Sequence, residues 1–331
     1  MASLPLKVAV IGAGNMGGHH VRNYSVLPEA ELAALADVNK ESKKLADEHD
    51  AKFYTDYKKM IDEEQLDAVS IVVPTPLHYE VASYAMERRV HCLVEKPIAH
   101  SLDEADKLIK LAKINNLVFT VGHIERYNPI IRAIKSIVDE GKLGDITSIV
   151  CQRVGGFPKI EPKTDVIIDL AVHDVDILNY LIGKYPDRIH SHASRTHHSQ
   201  KVDSTEILMD YGQTSGFVRA NWLTPVKIRT ISITGSKGYL EGNYITQELM
   251  YYEHNMQKVK DTRFSTFVLT VGEPKKHIIP VDFEEPLAVE LKAFLHHVAG
   301  NKKVQLVDPK DAKEALRLSL IAVKDYEGEK N

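Results

Sequence analysis

Residues 6–17 read LKVAVIGAGNMG, and twenty positions after Gly17 a second apolar run, Ala33-Ala34-Leu35-Ala36, ends in Asp37. Leu6 to Ile11 is short, mostly apolar and stopped by glycine, the pattern of a strand buried on both faces. Gly12, Gly14 and Gly17 form a G-x-G-x-x-G. The first glycine makes a tight turn, the second lets backbone N–H groups approach a pyrophosphate, and the third lets the following helix pack against the strand. The diphosphate then rests on a helix N-terminus, around Asn15 and Met16, where unpaired N–H groups and the positive end of the macrodipole favour an anion. Asp37 is placed to accept hydrogen bonds from an adenosine ribose. Three spaced glycines alone are a weak signal; a strand before, a helix after and an acid at the expected distance make this a dinucleotide reading.

Working outward, β-α alternation continues. Asn39 to His49 is helical, Phe53-Tyr54 a short strand, Tyr57 to Glu63 a helix, and Asp67 to Val73 a buried strand stopped by Pro74 and Pro76. Thr75 and His78 stand at its carboxyl end. Leu77 to Arg88 is helical, Val90 to Val94 a strand, Ser101 to Asn115 a helix with Ser101 as N-cap, and Leu117 to Val121 another strand. Such repeats imply a parallel, doubly wound α/β sheet whose ligands gather at the carboxyl ends of the strands. Asp37, Thr75, Glu95, Lys96 and His123 all fall there.

After Pro129 the character changes. A helix ends at Gly141, and the chain then reads as strands over Ile146–Val154, Arg188–Arg195, Ser204–Tyr211, Ser215–Trp222, Lys227–Thr234 and Tyr239–Gly242, with less regular strands to Val281. Alternation such as Thr230-Ile231-Ser232-Ile233-Thr234 marks an antiparallel sheet with one buried face. One helix, from about Ala171 to Leu181, interrupts it, and two more close the chain, Pro286–Ala299 and Pro309–Tyr326. The expected domains are 1–125, binding the dinucleotide, and 126–331, an α+β unit with a large, mainly antiparallel open sheet and helices returning toward the first.

The 331 residues, 44% of them apolar, are enough for two cores, and the net charge of −4 is interspersed. That charge argues against a nucleic-acid or anionic-membrane surface. Cys92 and Cys151 each lie in an apolar run and read as reduced core residues. No apolar stretch approaches ~18 residues and no export signal opens the chain, so a soluble cytoplasmic protein is expected.

Two segments carry chemistry. Glu95-Lys96-Pro97 follows a strand, where a lysine beside a nicotinamide can stabilise charge on a reacting oxygen. In TDVIIDLAVHDVDIL, residues 164–178, a helix from about Asp169 puts Asp169 and His173 on one face with Asp176 beyond. Three readings stand: an acid/base pair in which the carboxylate orients the imidazole, a divalent-metal site, and a helix start merely decorated with acids. Arg126-Tyr127-Asn128 and Arg153-Val154-Gly155-Gly156-Phe157-Pro158 suit an anionic or sugar-like substrate, arginine for its fork of donors and aromatics for stacking. The adjacent pairs His19-His20, His197-His198 and His296-His297 point different ways and read as incidental.

Together these residues resemble the glucose-fructose oxidoreductase and inositol dehydrogenase (Gfo/Idh/MocA) family of nicotinamide-dependent sugar oxidoreductases. The resemblance runs in order through Gly12–Gly17, Asp37, Thr75-Pro76 with His78, Glu95-Lys96-Pro97, Asp169-x-x-x-His173 and the C-terminal helices. It implies a Rossmann domain binding NAD through Gly12, Gly14, Asn15, Met16, Gly17, Asp37, Pro74, Thr75, His78, Glu95 and Lys96. It implies a catalytic set of Lys96, Asp169 and His173, no metal, and a Lys96–Pro97 bond able to be cis. Substrate contacts are expected at His123, Arg126, Tyr127, Asn128 and Arg153 as well as the catalytic set. Dimers or tetramers are expected through the open sheet face. Asp37-Val38-Asn39, with no arginine following, favours NAD over NADP. Gly122–Pro129 and Arg153–Pro158 look most like the branch that oxidises C3 of nucleotide sugars such as UDP-N-acetylglucosamine. A polyol or free-sugar dehydrogenase, and a nicotinamide-binding sensor without turnover, remain as alternatives.

Overall fold

The computed structural model describes residues 5–158, 164–197, 200–261, 266–271, 273–303 and 305–328. The chain divides into two compact units, Met1–Tyr127 with Glu284–Arg317, and Asn128–Phe283 with Leu318–Asn331.

The first unit opens with β1 (Leu6–Ile11), α1 (Asn15–Val26), β2 (Ala30–Ala36), α2 (Lys43–Glu48), β3 (Lys52–Tyr54), α3 (Tyr57–Glu64), β4 (Ala68–Ile71), α4 (His78–Glu87), β5 (His91–Glu95), α5 (Leu102–Asn115) and β6 (Phe119–Gly122). Its six strands are all parallel, in the order β3-β2-β1-β4-β5-β6. The order reverses at β1, so the turn after β1 opens onto the crevice where such sheets bind ligands. The central strands are mostly apolar and almost wholly buried because helices must cover both faces of a parallel sheet; β4, for instance, is buried at every residue, Ser70 included. Helix ends follow their local chemistry. Ser101 Oγ accepts the Glu104 N–H at 3.2 Å, and Asp103 and Glu104 fill the first turn of α5.

In the second unit α6 (Pro129–Asp139) leads into β7 (Ile146–Val154), then α7 (Val172–Ile182), β8 (Arg188–Ser194), β9 (Ser204–Asp210), β10 (Ser215–Asn221), β11 (Ile228–Gly235), β12 (Gly238–Asn243), β13 (Glu248–Glu253), β14 (Met256–Asp261), β15 (Thr266–Val271) and β16 (Lys275–Ile279). Eight of these strands form one sheet, ordered β16-β13-β12-β11-β7-β10-β9-β8, while β14 and β15 pair separately. Every neighbour is antiparallel except β7 and β10. The alternation read from sequence is the alternation of burial: in β9, Thr205, Ile207 and Met209 are buried while Leu208 is exposed. On that exposed side Phe217 pairs with Val150 on one neighbour and Leu208 on the other, giving an apolar row across three strands.

Two helices close the chain, α8 (Pro286–Val298) and α9 (Pro309–Gly328). In the first unit, Leu287, Leu291, Phe294 and Leu295 of α8 join Leu6, Val8 and Val10 of β1 and Tyr24 of α1 in one core cluster. Cys92 and Cys151 are buried.

Candidate active site

The glycine turn of the first unit has the geometry a dinucleotide needs. Gly12 has φ +99°, and a Cβ there would lie 2.5 Å from the Val72 carbonyl oxygen; a Cβ on Gly17 would lie 2.0 Å from the Gly12 oxygen. Only glycine fits either place. Gly14 differs, since a Cβ there would meet nothing within 4 Å: its face is open to an incoming group. Gly14 is also the N-cap of α1 and caps it with no side chain, which leaves the N–H groups at the helix start for an anion.

Asp37 stands beside this turn. Its carboxylate accepts the Ala13 N–H at 2.6 Å and the Asn39 N–H at 2.7 Å, so its charge is fixed against the backbone on both sides. Gly12, Gly14, Asp37 and Pro74 line one depression of about 450 Å³ with Thr55, Tyr57, Leu77 and Glu80. Those last four were not singled out from the sequence. The signal is topological: Thr55 and Tyr57 leave β3, which lies beside β2, and Leu77 and Glu80 leave β4, which lies beside β1, so both segments emerge at the same sheet edge as Asp37. Tyr57 Oη donates to Glu80 Oε1 at 2.8 Å, tying α3 to α4 behind the depression.

At the carboxyl end of β5, the carboxylate of Glu95 is held from two sides. Oε2 accepts the Lys96 N–H at 3.1 Å, and Oε1 lies 3.2 Å from His20 Nε2 on α1. A Cβ on Gly122 would come within 3.0 Å of that carboxyl, so glycine there makes room for it. Burial pushes the Glu95 carboxyl up; the hydrogen bond and charge of His20 and the charge of Lys96 outweigh it and hold the group below the usual carboxylate range. His20 is therefore not incidental: it is fully buried while the adjacent His19 is exposed. Its neighbour Tyr24, one helical turn on, shared that buried face and was the missed signal. His296 also has a partner, Glu29 at 3.3 Å, while His198 lies outside the described residues.

Lys96 is half-buried and its bond to Pro97 is cis. His78 spans from this turn to the previous strand, with Nδ1 2.8 Å from the Pro97 oxygen and Nε2 2.9 Å from the Val73 oxygen. Burial lowers its pKa despite those two carbonyls. Thr75 opens the short 3₁₀ turn between them. Beyond β6, His123, Arg126 and Tyr127 are buried, with Arg126 Nη1 3.1 Å from Asp311 Oδ2.

In the second unit, Asp169 and His173 fall where a π turn, Ile167–Ala171, runs into α7; the Val172 N–H reaches back to the Ile167 oxygen. The wider turn is a departure from the regular helix expected at Asp169. Residues four apart still share a face, and π turns recur at functional sites. Asp165 anchors its start, accepting the Val202 N–H at 2.7 Å. Both residues are half-buried, whereas Asp174 and Asp176 are buried. Arg153 is buried as well, and its Nε and Nη2 donate to the two oxygens of Asp174 at 2.8 Å each. Tyr244 lies under its guanidinium at 5.2 Å, and Asn128 Nδ2 donates to the Tyr244 backbone carbonyl. Asn128 also caps α6. Among the described residues no cluster of three or more His, Cys, Asp or Glu is arranged to hold a metal, and no helix is long and apolar enough to cross a membrane.

Residues 6–123 match the family model described as "Oxidoreductase family, NAD-binding Rossmann fold", and residues 131–241 match "GFO/IDH/MocA C-terminal domain". The chain is 28% identical over 303 residues to UDP-N-acetylglucosamine 3-dehydrogenase of Acidithiobacillus ferrooxidans, covering 90% of each protein. A solved structure of that enzyme superposes with a TM-score of 0.85 at 26% identity, covering 98% of this chain and 99% of the other. Myo-inositol 2-dehydrogenase of Thermotoga maritima is 23% identical over 341 residues, 97% of this chain and 96% of that one.

Proposed function

The chain belongs to the GFO/IDH/MocA family of NAD-binding oxidoreductases, and from that premise we propose that it oxidises a secondary hydroxyl of a sugar, with C3 of a nucleotide sugar such as UDP-N-acetylglucosamine as the preferred site. NAD, when bound, supplies the hydride acceptor. The first unit has the parts that fit it: a side-chain-free helix start at Gly14, two glycines that nothing else can replace, and a fixed carboxylate at Asp37. Asn15, Met16 and Gly17 complete the diphosphate cradle, with Pro74, Thr75, His78 and Glu95 shaping the far end.

In this reading His173 takes the proton from the substrate hydroxyl oxygen, Asp169 orients its ring, and Lys96 donates to that same oxygen as charge builds on it. His123, Arg126, Tyr127 and Asn128 belong to the substrate side. Arg153 serves it indirectly, by bracing α7 through Asp174. The apolar row of Val150, Phe217 and Leu208 is the surface for a homodimer or homotetramer.

The observation that supports the nucleotide-sugar class is the likeness to the Acidithiobacillus enzyme along 90% of both chains. The inositol dehydrogenase likeness is more extensive, 97% of this chain and 96% of that one, but lower in identity, and favours a polyol as the second reading. Measuring NAD reduction with nucleotide sugars, free sugars and inositols side by side separates them. Turnover of UDP-N-acetylglucosamine well above the rest is expected; turnover of inositols alone transfers the assignment, and bound NADH that no substrate exchanges makes the protein a sensor.

A further inference from the structure

Glu290 is a buried acid that the proposed chemistry does not use. It sits on α8 within the apolar stripe of Leu287, Leu291 and Phe294, with 1% of its surface exposed. Neither of its carboxyl oxygens has a hydrogen-bond partner among the described residues, and neither has Nδ1 of His20. An ionised carboxylate without partners in such a place is strongly disfavoured. Its charged neighbours on the packed elements are few. Glu95 of β5 repels it, and from α1 come Tyr24, whose hydroxyl is 2.8 Å from Ser70 Oγ, and His20, already engaged with Glu95. The 3₁₀ turn Ile124–Tyr127, also against α8, carries Glu125 and Tyr127 and holds Arg126, whose guanidinium meets Asp311.

Of these two buried carboxyls of the first unit, only Glu95 has the donors an anion needs. We propose that Glu290 is a positioning residue: it holds a proton, leaving Glu95 as the single anion of the pair, and so keeps the Lys96 backbone anchored for the cofactor. The placement of Lys96 against the nicotinamide rests on the function proposed above; the protonation of Glu290 does not. Burial and the Glu95 charge both push the Glu290 carboxyl up, which agrees with the geometry. Loss of that proton in alkaline solution puts a second negative charge beside Glu95 with no donor to meet it. The Glu95 anchor then loosens and NADH binds less well.

The test is NADH affinity, by fluorescence titration across neutral to alkaline pH, in wild type, Glu290→Gln and Glu290→Met, with infrared spectra in parallel. Wild type should weaken at alkaline pH by at least about fivefold, a modest coupling between two sites. Both variants should bind as wild type does at neutral pH and stay flat beyond it. The protonated-carboxyl band should be present in wild type, fade as affinity falls, and be missing from both variants. An alkaline loss of the same size in either folded variant overturns the proposal, as does a wild-type spectrum at neutral pH with no band that the substitutions remove. Lys96→Met separates the premises: unchanged NADH affinity there removes Lys96 from the nicotinamide, whatever the Glu290 variants do.

Discussion

The six-stranded and eight-stranded sheets use their strands in opposite ways. In the first, all strands run one way, the polar ends collect at one edge, and the backbone does the recognising: a turn that only glycine can make, a helix start with no side chain over it, a carboxylate pinned by two N–H groups. In the second, the sheet is a platform. Its candidate groups sit on a π turn and on a buried ion pair between β7 and α7, so they act, in the proposed reading, through side chains. The lesson is that the cofactor end should be sensitive to shape and the substrate end to the identity of single functional groups.

The sharpest way to break that contrast is His173→Ala. Loss of a positioned acid/base should cut kcat by ~10² to 10⁴ while NADH affinity stays as it was. Stopped-flow and fluorescence titration together check it, and ordinary turnover would take His173 out of the reaction.

Next in size is Arg153→Met, which leaves Asp174 charged and buried. It should cost about 3–5 kcal/mol of stability, and adding Asp174→Leu should recover most of it, because an apolar pair has no charge to strand. Urea melts read both. An Arg153→Met enzyme as stable as wild type but poor in substrate KM would make Arg153 a direct substrate contact.

Asp37→Ala tests the other side. Losing a charge-assisted contact to the ribose and the repulsion of a 2′-phosphate should shift the NAD to NADP preference by roughly tenfold or more. An unchanged preference removes Asp37 from the ribose.

The smallest effect makes a control within the first unit. Burial pushes the Glu64 carboxyl up, but hydrogen bonds from Lys52, Tyr54 and Lys7 bring it down from 4.5 to about 2. A lowered folded-state pKa contributes stability above the unfolded value and loses it as pH falls toward the folded one. Glu64→Gln should therefore melt earlier at neutral pH, by roughly 1 kcal/mol given solvent screening of the lysines, and approach wild type near pH 2. Cofactor affinity should not follow.

What could be read in advance tracks how local each feature is. Gly12, Gly14, Gly17 and Asp37 lie on one strand-turn-helix-strand segment, and residues 146–154 appear as β7 with the bounds their alternation suggested. Glu95-Lys96-Pro97 was legible because a strand precedes it. The parallel pairing of β7 with β10 was not, since nothing in either strand encodes a partner over sixty residues away. The bond from Arg153 to Asp174 and the burial of His20 against Glu95 depend on packing between separate elements. So does the place of Tyr57 in the depression beside Gly14 and Asp37. The π turn is illegible for another reason: Ile167 to Ala171 carries ordinary helix-compatible residues, and the bond at its start, from the Val202 N–H to Asp165, joins segments far apart in the chain.

The covering of β1 by α8 has a consequence during synthesis. Leu6, Val8 and Val10 leave the ribosome well before Leu287, Leu291 and Phe294, which complete their hydrophobic contacts, are made. A nascent chain therefore carries an unfinished apolar face until α8 has been synthesised. Ribosome-bound chains halted before Pro286 should recruit chaperones that release once α8 has emerged.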